Sequence, residues 1–336
     1  METTAAASLS SDCMLHLNLT ECINTITQTT PASTSTNLLP SDASSFFSHY
    51  NNSNTVSHLQ HDLHTRAVQH TFYAAVDRAA EEKDIVTSAR LNCITAPHAA
   101  DWKAAIPSNS DMKLNDSHYR LAARLNLGMT VAGLPDYCYG CGRKDSVKID
   151  PYHYLSCTTH KRREITIRHN LVLQVLYRYI NYVGGVAVKE PIDLNDTDGR
   201  RPDLQVLIAD QHMLSDVRIS HPLCPSHVEA AARQQLATAK IGEKIKQKKY
   251  RDTATQHQAK FVAFVMESTG GMGADAIELM HQIVLASRDN NTLWPHKIVA
   301  RELRGALAIA VQKGNAMTMI AGRNLAIGRA ATCYAA

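Results

Sequence analysis

Asp203 and Asp216 are separated by twelve residues, and each sits in or beside a short apolar run. Asp203, in Arg201-Pro202-Asp203, opens the run from Leu204 to Ala209, and Asp216 lies inside the run from Met213 to Ile219. Such runs read as two strands of a hairpin, here with a turn at Asp210-Gln211-His212. A carboxylate at the head of one strand and another midway along its neighbour can converge on one hard cation. Mg²⁺ takes few protein carboxylates and keeps positions open for water and phosphate oxygens, so phosphodiester hydrolysis is the chemistry such a pair would serve. Pro-Asp is also ordinary turn chemistry, and an aspartate at this distance arises by chance, so the pair needs support from its surroundings.

A second group of residues has ligand spacing. Cys138 and Cys141 form a Cys-x-x-Cys knuckle, and eleven residues on, His153 and Cys157 form a His-x-x-x-Cys pair. Two such pairs supply three thiolates and an imidazole to a tetrahedral Zn²⁺, and Gly140 and Gly142 relax the backbone where the knuckle must turn. The competing reading is a set of reduced, buried cysteines in a helical core.

The elements that must position these groups follow from periodicity and breakers. Residues 1–56 are rich in Ser, Thr and Asn without sustained periodicity and read as a disordered lead-in. A helical pattern from His58 to about Cys93 ends before Pro97, Trp102 to Pro107 is a short amphipathic piece, and Asp116 to Leu127 is a helix that Gly128 closes. His160 to Tyr182 is a long helix that opens on Lys161-Arg162-Arg163, carries Arg168-His169-Asn170 and stops at Gly184-Gly185. Basic residues on it either touch phosphate or are simply solvated. Val186 to Lys189 is a short strand ending at Glu190-Pro191. Ser226 to Glu229 has capping-box spacing at the start of a helix running to Tyr250, whose end carries Lys240, Lys244, Lys246, Lys248 and Lys249. Phe261 to Met266 is a strand. Gly271 to Ala276 fits a G-x-G-x-x-A string, but with no crossover strand and ribose-binding acid after it a dinucleotide site is not expected. Two further helices, Pro295 to Val311 and Ala316 to Ala330, end the chain.

The chain has 336 residues, 44% hydrophobic and 20% charged, with no apolar run approaching a membrane span, and because no basic region followed by an apolar core appears near residue 1, no secretory signal is expected. Its eight cysteines are irregularly spaced, which favours thiols and a metal over a disulfide framework. The net charge of +4 is uneven: residues 1–60 hold four acids and no Lys or Arg, whereas 143–251 hold nineteen Lys and Arg against twelve acids. A basic segment around the aspartates suits a polyanionic substrate, though such an excess is also common on solvated surfaces.

The succession of Cys138, Cys141, His153 and Cys157, then Arg168-His169-Asn170, then Arg201-Pro202-Asp203 with Asp216, then Lys246 to Tyr250, resembles the C-terminal region of site-specific non-LTR retrotransposon (reverse transcriptase) proteins. The likeness spans about Ala100 to Gly273. It implies an α/β fold with a PD-(D/E)XK, restriction-endonuclease-like core at 161–290 preceded by a zinc knuckle at 131–160, to which periodicity adds a helical linker region at 57–130 and C-terminal helices at 291–336. It implies a metal-dependent DNA endonuclease that nicks its target in the nucleus, with structural Zn²⁺ on the knuckle, catalytic Mg²⁺ or Mn²⁺ on Asp203 and Asp216, and Glu190 as a weaker third acid. Double-stranded DNA is the implied partner, with element RNA as a second and no membrane. Position 218 is Arg rather than the family's Lys, so the catalytic positive charge must come from Arg218 or from Lys246 or Lys249 with Tyr250. Arg168, His169, Arg201, Arg218, Lys240 and Lys244 are the expected nucleic-acid contacts. No Tyr-x-Asp-Asp sequence occurs, so reverse transcriptase is expected to be missing. The alternative is a catalytically inactive zinc-knuckle remnant that still binds nucleic acid.

Overall fold

The computed structural model describes residues 59–334, except 132–133, 135–137, 139–140, 144–145, 158–163 and 195–200. The expected lead-in at 1–56 and the run Lys161-Arg162-Arg163 lie outside the described residues. The chain divides into a unit over Met1–Asp84 and another over Ile85–Ala336, and every candidate site residue belongs to the second. The helical stretch expected from His58 to Cys93 is two helices, α1 (Leu59–Glu81) and α2 (Ile85–Ile94), because Lys83 between them takes a left-handed φ of 53°.

The second unit continues with α3 (Asp101–Ala104), which buries Trp102, and α4 (Asp116–Leu127). The Asn115 side chain accepts from the His118 N–H at the start of α4, and Gly128, at φ 70°, closes its end as its sequence implies. After the short α5 (Ser146–Ile149), α6 runs from Glu164 to Tyr182. Four strands follow the expected runs: β1 (Val186–Lys189), β2 (Leu204–Ile208), β3 (Gln211–Ser220) and, later, β4 (Lys260–Glu267). They form one sheet in the order β1-β2-β3-β4, antiparallel except that β4 runs parallel to β3. The hairpin turn is tighter than Asp210-Gln211-His212. Ala209 and Asp210 take φ 47° and 61°, the paired left-handed conformation of a two-residue turn, so pairing already begins at Ile208 and Gln211.

Between β3 and β4 the single helix expected from Ser226 is instead α7 (Val228–Arg233) and α8 (Ala237–Gln256), parted by Leu236 at φ 58°. The capping box does not form: His227 precedes α7 without a side-chain cap. Past β4 come α9 (Ala274–Asp289) and α10 (His296–Tyr334). α10 is one helix where two are expected, since no proline interrupts it and Gly314 serves packing rather than a break. A Cβ on Gly314 would lie 2.6 Å from Arg168 Cγ and 2.7 Å from Arg168 Cα, so the glycine lets α10 close onto α6.

The sheet is a middle layer. One face buries Val206 and Phe264 against Val172 and Leu176 of α6, Leu279 of α9 and Leu307 of α10. Each such side chain contributes roughly 1.5–3 kcal/mol of hydrophobic burial. The other face buries Leu214 and Val265 against Ala239, Tyr250 and Ala254 of α8. α10 packs along α6 and shares this core, so the C-terminal segment expected as separate helices is built into the same layers. Among the described residues, no helix is long and apolar enough to cross a membrane.

Candidate active site

Strand register brings the acids together. Leu204 pairs with Ser215 across the antiparallel β2–β3 ladder, so one step further places Asp203 opposite Asp216. Lys189 pairs with Leu204 on the other side, which places Glu190 opposite Asp203, and the Glu190 N–H donates to the Asp203 carbonyl at 2.9 Å. The Asp203 carboxylate turns toward β3, where its Oδ2 accepts the Val217 N–H at 2.6 Å. Asp216 is buried.

Two helices reach this seam from opposite faces of the sheet. From α6, His169 Nε2 lies 2.9 Å from Asp203 Oδ2. Burial of the imidazole lowers its pKa, but the hydrogen bond and charge of Asp203, with smaller help from Asn170 and Asp216, outweigh burial and raise it above the ordinary value. From α8, the half-buried Lys246 ammonium forms an ion pair with Asp216 Oδ2. α8 comes this close because of Gly242, one turn earlier on the same side. A Cβ there would lie 2.9 Å from Val265 Cγ1 and 3.3 Å from Arg218 Cδ.

Tyr250, one turn beyond Lys246, is buried and stacks on Phe261 with ring centroids 5.0 Å apart. Its hydroxyl donates to the Arg201 carbonyl at 2.9 Å and accepts from Lys249 Nζ at 2.8 Å. The tyrosine expected in the chemistry thus ties the Arg201-Pro202-Asp203 segment to the helix that carries Lys246. Lys249 lies over the Tyr250 ring, 4.4 Å from its centroid. Of the two candidate lysines, Lys246 is therefore the one that contacts an aspartate.

Other expected site residues are placed differently. Arg168 is buried and cannot be a phosphate contact: its guanidinium donates to Asn315 Oδ1 at 2.9 Å, the Leu155 carbonyl at 3.2 Å and the Ile219 carbonyl at 3.3 Å. Burial pulls its pKa down to about 10. Glu190 takes φ 47° and sends its exposed carboxylate to Arg201, 2.6 Å away, instead of toward the aspartates. Arg218 donates to Ser220 Oγ at 3.0 Å. Lys240 and Lys244 are exposed and, with Lys248, form a stripe on α8 at helical spacing, facing away from the sheet. The Gly271-Met272-Gly273 turn leads into α9, but Glu243 already occupies the helix start: its Oε1 accepts the Asp275 N–H at 3.1 Å. A dinucleotide phosphate is excluded there by a carboxylate of the chain itself.

The second constellation assembles as its spacing implies. One ligand atom from each of Cys138, Cys141, His153 and Cys157 lies within 4.8 Å of the others. Cys138 Sγ and Cys157 Sγ are 3.7 Å apart, and Cys141 Sγ is 3.3 Å from His153 Nε2. Sulfurs at two corners of a zinc tetrahedron lie about 3.8 Å apart, taking Zn–S as about 2.3 Å, so the donor set and its dimensions fit zinc. Gly142, at φ 68°, turns the knuckle and donates to the Cys138 carbonyl at 2.8 Å, while the Cys157 N–H closes a helical turn on the His153 carbonyl at 2.8 Å. The Cys138 N–H donates to Ser146 Oγ at 3.0 Å.

Compared with known proteins, the chain matches no family model and no curated protein. The fold and its two constellations define a mixed α/β protein with a four-stranded mixed sheet and a Cys3His cluster that can hold a metal such as zinc.

Proposed function

We propose that this chain is a metal-dependent DNA endonuclease that nicks double-stranded DNA, related to the C-terminal endonuclease region of site-specific non-LTR retrotransposon proteins. The observation that carries the reading is the register that sets Asp203 opposite Asp216, with Lys246 paired to Asp216. The order α6-β1-β2-β3-α8-β4, with helices on both faces of a sheet whose last strand is parallel to its neighbour, supports a PD-(D/E)XK core.

Asp203 and Asp216 would hold Mg²⁺ or Mn²⁺, which when bound acidifies a water and polarises the phosphodiester. Lys246 supplies the positive charge that the family carries two residues after this aspartate, where the present chain has Arg218. Arriving from a packed helix, it meets negative charge developing on the phosphate without reorganising. Tyr250 and Val217 hold the Asp203 segment in place. The exposed Lys240, Lys244 and Lys248 stripe engages backbone phosphate without reading sequence. The Cys3His knuckle joins this layer through the Leu155 carbonyl on Arg168. Element RNA as a second partner and action in the nucleus belong to the same reading.

The test is nicking of supercoiled plasmid by the purified chain with Mg²⁺ or Mn²⁺. Open circles that disappear with EDTA support the reading. Intact plasmid under every divalent cation, with salt-sensitive DNA binding retained, favours the inactive nucleic-acid-binding alternative, in which the Lys246 and His169 contacts neutralise the carboxylates without a cation.

A further inference from the structure

We infer that His169 is a positioning residue for the cation site rather than a contact to nucleic acid: its Nε2–H holds one oxygen of Asp203 so that the other is presented to the divalent ion. The inference rests on the two-aspartate reading above and deepens it.

A carboxylate only accepts hydrogen bonds, so the 2.9 Å contact from His169 Nε2 to Asp203 requires the proton on the imidazole nitrogen. The Val217 N–H at 2.6 Å lands on the same oxygen, Oδ2. Two donors from two elements, a helix side chain and a strand amide, therefore fix the carboxylate's rotation and leave Oδ1 free for a cation. The Nδ1 of the same ring lies 3.1 Å from Asn170 Oδ1. The helix is anchored one residue earlier by buried Arg168, so His169 meets Asp203 from a rigid base. A residue tied this way to an acid is not free to follow a phosphate backbone. What the site needs from it is an N–H at one point.

That requirement separates a donor from a space-filling side chain. Gln can place an amide N–H near the imidazole Nε2, whereas Phe keeps the bulk and loses the donor. Mn²⁺ binding by the full-length chain, read from the electron paramagnetic resonance signal of the free ion, tests it, with binding left in Asp203→Asn subtracted as unrelated to the site. His169→Phe and His169→Ala should weaken Mn²⁺ binding about tenfold or more, the usual effect of losing an outer partner of a metal ligand, and His169→Gln should recover most of it. DNA affinity without divalent cation should be the same in the parent and the three His169 variants. If the parent binds Mn²⁺ through Asp203 and His169→Phe binds it equally well, the inference is wrong and the two-aspartate site stands. It is equally wrong if His169→Gln binds Mn²⁺ no better than His169→Ala. If the parent chain binds no Mn²⁺ at the aspartates, the underlying reading falls and this inference with it.

Discussion

Lys246 of α8 pairs with Asp216 of β3, although they lie thirty positions apart in the chain with another helix between them. Lys249, three residues on, turns instead to the Tyr250 hydroxyl. The same short basic run thus contains one lysine at the acid and one beside its anchor. Lys246→Ala should lower the nicking rate on the order of a hundredfold, the effect of removing one preorganised charge beside a developing phosphorane. Lys249→Ala should stay near the parent rate, because it leaves the Tyr250–Arg201 hydrogen bond intact. Initial rates on supercoiled plasmid decide it, and equal losses in both variants would remove the special role of Lys246.

Arg168 makes the sharpest contrast between a surface reading and a buried one. Its guanidinium serves α10, the knuckle carbonyl of Leu155 and the end of β3 together. Arg168→Met should leave these acceptors unpaired and cost about 1–3 kcal/mol for each one that water cannot reach, seen as a large fall in the unfolding midpoint. A phosphate contact would behave differently: stability would hold, and the salt slope of DNA binding would flatten by about one.

The element pattern was legible where local chemistry dominates. Apolar runs marked all four strands, Gly128 marked the end of α4, and the spacing of Cys138, Cys141, His153 and Cys157 anticipates the cluster they form. What escaped depends on packing between distant segments. Gly314 looks like a place for a helix to end, yet α10 runs through it because Arg168 fills the space a side chain would need. His169 and Asp203 lie thirty-four residues apart on different elements, and no local period connects them. The choice of lysine was readable in principle. Gly242, Lys246 and Tyr250 share one face of α8 at four-residue spacing, and a glycine and an aromatic on that face mark it as the packed side.

Zinc should be an integral part of the fold. Metal analysis of protein purified without added zinc should give one Zn²⁺ per chain, lost in Cys138→Ser combined with Cys157→Ser. Because such a site contributes folding free energy directly, chelation should unfold the segment around 130–160, measured as faster amide exchange there. An unchanged metal content in the double variant would defeat the assignment.

In the proposed function, the register that sets Asp203 opposite Asp216 would let both carboxylates serve one cation. Asn keeps the shape of each side chain and removes the charge that holds the ion, so Asp203→Asn and Asp216→Asn should each abolish plasmid nicking. DNA binding without divalent cation should persist in both. Glu190→Gln should weaken nicking less, since its carboxylate is engaged by exposed Arg201. The decisive comparison is the nicking rate of Asp203→Asn beside the parent chain in Mg²⁺: loss of cleavage with DNA affinity retained is the expected result, and cleavage at the parent rate would contradict the two-aspartate site.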